Sequence, residues 1–158
     1  GNLASYERKN KLLYALTFYI SAFVSVFFCF LAHPIIRILY GDAFLAAVSP
    51  LQIITWYTAF SYLGVARNAW IVCENRQRYL KWVYGSAAVS NVLINLLLIP
   101  PFGASGAAAA SLIAQVITTI IAPAFIPGLR SNTKMMVDAI FLKGIFPLKK
   151  NKPNGKTK

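Results

Sequence analysis

The stretch Ser90 to Leu112, S-N-V-L-I-N-L-L-L-I-P-P-F-G-A-S-G-A-A-A-A-S-L, constrains the fold of this chain more than any other. An apolar helix carrying Asn91 and Asn95 runs into Pro100–Pro101, and an uncharged turn leads through Gly103 and Gly106 into an alanine-rich helix. Proline lacks a backbone N–H and restricts the residue before it, so one helix must end here. Glycine supplies the reversal, and the small residues let the second helix lie close against a neighbour. This is a helical hairpin suited to hydrocarbon rather than water.

Composition agrees. Of 158 residues, 58% are apolar and 13% charged. Soluble domains carry about 25% charged residues. The net charge of +12 comes from sixteen Lys and Arg against four acids. These positives gather at the ends of apolar runs, which reads as membrane topology and anionic lipid rather than nucleic acid. Cys29 and Cys73 lie in or beside apolar runs and form neither a disulfide framework nor a metal pair.

Leu12 to Ala32 is uncharged for 21 residues, about 31 Å as a helix and enough to cross the hydrocarbon core. The spacing predicts four transmembrane helices at about 12–32, 46–73, 82–99 and 104–126, with His33–Pro34 ending the first. Residues 1–11 form a flank, and Ile35 to Phe44 a short connector with a turn at Tyr40-Gly41-Asp42. Residues 128–158 read as a tail, with an interfacial helix over Lys134 to Leu148 and a disordered basic end. The fold class is therefore all-α, a polytopic transmembrane bundle. Each helix carries one narrow polar or small stripe, such as Thr17, Ser21 and Ser25, or Ser111, Gln115 and Thr118. Stripes of this kind either pack helices together or line a path through them.

Positive charges set the orientation. The first flank holds Arg8, Lys9 and Lys11, the next connector only Arg37 beside Asp42, and the 74–81 loop Arg76, Arg78 and Lys81. The 100–106 turn has none, and the tail has eight. This alternation predicts that both ends and the 74–81 loop are cytoplasmic.

The sequence contains no assembled catalytic set, metal-ligand spacing or phosphate loop, so we expect neither an enzyme nor a cofactor. The four acids, Glu7, Asp42, Glu74 and Asp138, all lie outside the uncharged runs. Arg67 follows an uncharged run, well before the Glu74 loop. Either it snorkels toward headgroups, or it faces a cavity and meets a phosphate or acidic sugar. Gln52, Asn91, Asn95 and Gln115 are further candidates for a substrate path, with interhelical hydrogen bonding as the alternative.

The runs I-L-Y-G-D-A-F-L-A-A-V-S-P-L-Q-I-I, N-R-Q-R-Y-L-K and S-N-V-L-I-N-L-L-L-I-P-P-F-G-A-S-G-A-A-A-A-S-L-I carry a resemblance. They resemble the C-terminal lobe of bacterial polysaccharide flippases, in the multidrug/oligosaccharidyl-lipid/polysaccharide exporter superfamily. The likeness covers about Leu12 to Pro127. It implies the last four helices of a larger two-lobed transporter in the bacterial inner membrane. Such proteins move undecaprenyl-pyrophosphate-linked oligosaccharide, such as O-antigen repeat units, between leaflets by alternating access. The partners implied are that lipid substrate, the rest of the chain and polysaccharide polymerase machinery, with anionic lipid on the basic tail. Under the resemblance Arg67 is the position that could hold the pyrophosphate. A small four-helix protein forming an oligomeric channel or scaffold is the alternative class, and a multidrug or lipid-precursor exporter the alternative branch.

Overall fold

A computed structural model describes residues 2–143, and among them every regular element is helical. Helix α1 spans Asn2–Tyr40, α2 Val48–Cys73, α3 Leu80–Val116, α4 Ala122–Phe125 and α5 Arg130–Ile140. Short 3₁₀ turns at Asp42–Ala47 and Gln77–Tyr79 precede α2 and α3, and a π-helical turn at Ile117–Ile121 joins α3 to α4. Three helical segments are long and apolar enough to cross a membrane: Ser5–Tyr40, Asp42–Cys73 and Gln77–Phe125. They mark the chain as a membrane protein.

The third segment has 49 residues, which as a straight helix would run about 74 Å, over twice the hydrocarbon thickness. It bends at Gly103, whose φ of +54° and ψ of −129° lie where only glycine is comfortable. Beyond the bend, Gly106 packs directly against the Leu98 carbonyl, and any side chain there would overlap that backbone oxygen. In a continuous helix residues 98 and 106 would be about 12 Å apart. The chain therefore doubles back, giving α3 a first arm (80–102) and a second arm (104–116). Ser105 of the second arm reaches Ser49 at the start of α2, with their hydroxyls 3.5 Å apart.

Several expected boundaries move. Residues 2–11 are helical, as the opening turns of α1, and α1 continues through Pro34 to Tyr40. Pro34 forfeits one backbone bond, yet in hydrocarbon a helix satisfies the remaining peptides better than any open alternative. The stop comes at Gly41, with φ +83°, whose N–H still bonds to the Arg37 carbonyl at 3.0 Å. Likewise the double proline lies inside α3, and the first arm runs three residues past Ile99, to Phe102, before Gly103 bends the chain. Glycine conformation, not proline, sets both limits. The α3 start at Leu80 precedes the expected Trp82, and the span predicted for 104–126 is broken into α3, the π turn and α4.

The tail helix also differs from the sequence reading. It is α5, Arg130–Ile140, and it buries Asn132, Met135, Met136 and Ala139. That face packs on the early turns of α1. Tyr14, Leu63, Ile71, Val83, Leu129 and Met136 form the apolar core where α1, α2, α3 and α5 meet. Asn132 Nδ2 donates to Tyr14 Oη at 2.6 Å, Lys11 Nζ pairs with Asp138 at 2.8 Å, and Tyr19 Oη donates to the Ile140 carbonyl at 2.7 Å. Arg76 adds a bond to the Gly128 carbonyl and stacks over Trp70 at 5.5 Å. The extension to Leu148 and the basic end at 149–158 lie outside the described residues.

Candidate functional site: a buried arginine beside a polar cleft

The polar stripes read from the sequence meet in two different ways. Those of α1 and α2 meet at Ser25, Thr55 and Gln52, and elsewhere part around a mostly apolar groove of about 400 Å³ that includes Thr17, Ser21 and Thr58. Ser25 Oγ donates to the Thr55 carbonyl at 2.6 Å, and Gln52 Nε2 donates to the Cys29 carbonyl at 3.1 Å. Gln52 is thus a packing residue of this contact. The stripes on the two arms of α3 stand apart. With α2 they enclose a cleft of about 430 Å³, whose polar lining comes from Tyr57, Tyr84, Asn91, Ser111, Gln115 and Thr118. Alanines fill the spaces between: Ala87 and Ala88 line it from the first arm and Ala114 from the second.

Arg67 sits beside this cleft and is 2% exposed. Its side chain turns inward, away from the helix end that snorkelling would seek. Nη1 donates to the Thr118 carbonyl at 2.6 Å, and Nη2 donates to Asn68 Oδ1 at 3.0 Å. Nε makes a longer bond of 3.4 Å to the same oxygen. Asn68 Nδ2 in turn donates to Tyr84 Oη, at 2.7 Å, on the cleft wall. Among the described residues the ion pairs are Lys11–Asp138 and Arg37–Asp42, so no carboxylate neutralises Arg67. Burying an unpaired charge costs several kcal/mol even after relaxation (about that order). The guanidinium also has five N–H groups, and its three bonds reach only two acceptor atoms.

Thr118 explains why the arginine points here. The Ala122 N–H bonds to the Ile117 carbonyl, five residues back, so the helix is in π register. In that register the Thr118 carbonyl would take the N–H of residue 123, which is Pro123 and has none. Arg67 supplies the missing donor. Thr118 Oγ1 donates to the Ala114 carbonyl at 2.6 Å, which fixes its own rotamer. Next to it, Gln115 Nε2 donates to Thr119 Oγ1 at 3.2 Å, and Thr119 Oγ1 donates to the Phe60 carbonyl at 3.3 Å.

Of the sequence candidates, Arg67, Asn91 and Gln115 come together around the cleft. Asn95 bonds back to Asn91, at 2.9 Å to both its carbonyl and its Oδ1, and lines a neighbouring groove. The two asparagines therefore satisfy each other along one helix instead of bridging two. Asn68, Tyr84 and Thr118 were not singled out as site residues by sequence reasoning. A Pro five residues after a Thr that ends a polar stripe is the one signal that could have found the carbonyl.

No protein-family model, curated protein or solved structure matches the chain.

Proposed function

We infer that this chain is the membrane part of a transporter that moves a lipid-linked oligosaccharide with an anionic headgroup across the bacterial inner membrane. The observation that carries this reading is Arg67, a buried cation with no carboxylate partner among the described residues, beside a polar cleft and within a helix long and apolar enough to cross a membrane. A protein keeps such a group in hydrocarbon when a cavity or an anionic ligand repays its burial. Tyr, Asn, Gln and Ser side chains on the cleft wall suit sugar hydroxyls, which both donate and accept. The sequence resemblance to polysaccharide flippases adds the substrate class: an undecaprenyl-pyrophosphate-linked repeat unit. On this reading the first arm of α3 spans the bilayer once, and the second arm, continued through the π turn and α4 to Phe125, spans it again, giving four spans with both ends cytoplasmic. Further helices of a longer chain would face this cleft and complete a central cavity. The basic tail would rest on anionic lipid, and polymerase machinery would receive the product.

The test is translocation of a fluorescent undecaprenyl-pyrophosphate oligosaccharide by the full-length protein in proteoliposomes. Transport is expected, and it should fall at least tenfold for Arg67→Ala. No transport of this lipid, with transport of an uncharged amphiphile instead, would remove the anionic substrate from the account.

A further inference from the structure

At 2% exposure the Arg67 guanidinium cannot meet a ligand in the cleft while it holds the Thr118 carbonyl. Thr118 lines the cleft and Arg67 stands behind it. To reach an anion, Nη1 must leave that carbonyl. Whether it can leave depends on what then satisfies the carbonyl, and Pro123 ensures that no backbone donor in the π register does.

We propose that Arg67, Thr118 and Pro123 form a displacement switch, in which a phosphate oxyanion competes with the Thr118 carbonyl for the arginine. The proposal rests on the reading that Arg67 meets an anionic headgroup. Anion binding removes the donor from Thr118 and leaves the π turn with a carbonyl that has no partner at that register. The turn must then repack, by shifting register or by admitting water from the cleft. Either way, ligand binding reaches the geometry of the second arm of α3 and of α4 beyond it. Proline acts here through what it lacks: with an amide at position 123 the carbonyl would be satisfied with or without ligand, and the two events would be uncoupled. The nearby Gln115–Thr119–Phe60 chain anchors the other side of the turn to α2, so the freed motion is confined to the Thr118 face. The chemistry shared by possible ligands is a phosphate oxyanion, free or carried on a lipid.

The experiment titrates inorganic pyrophosphate into the full-length protein in phosphatidylcholine nanodiscs by calorimetry, for the parent, Pro123→Ala, Pro123→Ser and Arg67→Met. Each Pro123 variant should bind about tenfold tighter, because the new amide takes the carbonyl and removes its competition with the anion; one charged hydrogen bond is of that order. Arg67→Met should abolish binding. Equal affinity of the parent and both Pro123 variants, with Arg67→Met still unable to bind, would overturn the switch and leave the anionic reading standing. Binding indifferent to Arg67→Met would overturn both. If Arg67→Met does not fold, Arg67→Lys serves in its place. Its single ammonium should weaken binding at least tenfold and erase the dependence on residue 123, and retention of that dependence would overturn the switch. Displacement of pyrophosphate by undecaprenyl pyrophosphate in the disc would assign the site to a lipid headgroup. A lack of displacement, with the Pro123 effect present, would assign it to free phosphate and keep the switch.

Discussion

The α1–α2 contact and the cleft between the arms of α3 are built from the same kind of sequence, one narrow polar stripe per helix, and they come out differently. Along α1 and α2, two polar side chains find a carbonyl on the partner helix, Ser25 taking Thr55 and Gln52 taking Cys29, while Ser21 and Thr55 bond back along their own helices. In the third segment Asn95 bonds to Asn91 and Gln115 to Thr119 along the same helical run, Thr119 reaches across to Phe60 of α2, and a space is left between the arms. Two irregularities accompany that space, the Gly103 bend and the π turn before Pro123. Both interrupt straight helix packing in the segment that carries the more polar of the two spaces. Polar stripes alone do not tell a packed contact from a path.

The sharpest way to destroy the difference is to prevent the reversal. Gly106→Val would drive its side chain into the Leu98 backbone oxygen. The expected cost is about 3 kcal/mol or more, seen as loss of folded protein from membranes on detergent size-exclusion chromatography. A normally folded Gly106→Val protein would mean that the two arms do not lie this close.

Removing the arginine tests the cleft side directly. Arg67→Met relieves a buried charge but leaves the Thr118 carbonyl without its donor, and the second effect opposes stability by about 2 kcal/mol. Pro123→Ala, by supplying an amide, should recover about 1 kcal/mol of that loss in the double variant. Unfolding in bicelles by sodium dodecyl sulfate measures the cycle, and strict additivity would show that Pro123 is unrelated to Arg67.

On the α1–α2 side, Ser25→Ala removes one interhelical bond. Membrane hydrogen bonds average about 0.6 kcal/mol, so the same titration should register a loss of that size with transport preserved. Smallest of all in stability is Asn91→Leu, because Asn91 Oδ1 accepts only from Asn95 on its own helix. We expect a change within about 0.5 kcal/mol together with a clear fall in transport. A large stability loss with intact transport would place Asn91 among the packing residues.

Much of the helical plan is legible in the sequence because hydropathy and charge act locally. The α2 limits, Val48 and Cys73, fall within two residues of those expected, since charged or turn-forming residues bracket that run. Pro34 misleads because a proline takes one backbone bond from a helix and kinks it, and in hydrocarbon that local loss is smaller than the cost of opening the peptides that follow. Arg67 stands out in the sequence as a charge inside an apolar run, but its partner does not. A carbonyl has no letter of its own, and Thr118 becomes an acceptor only through the register shift that Pro123 imposes. The α5 docking is similarly hidden. Asn132, Lys11 and Asp138 look like ordinary polar residues until α1 brings Tyr14 and Lys11 across from them.

Surface polysaccharide in cells that carry Arg67→Ala on the chromosome tests the central claim most directly, with membrane abundance of the protein measured in the same cells. The account predicts a strong loss of polysaccharide at near-normal abundance, and Arg67→Lys should lie between that variant and the parent. Unchanged polysaccharide with Arg67→Ala at normal abundance would contradict a transport role for the buried arginine.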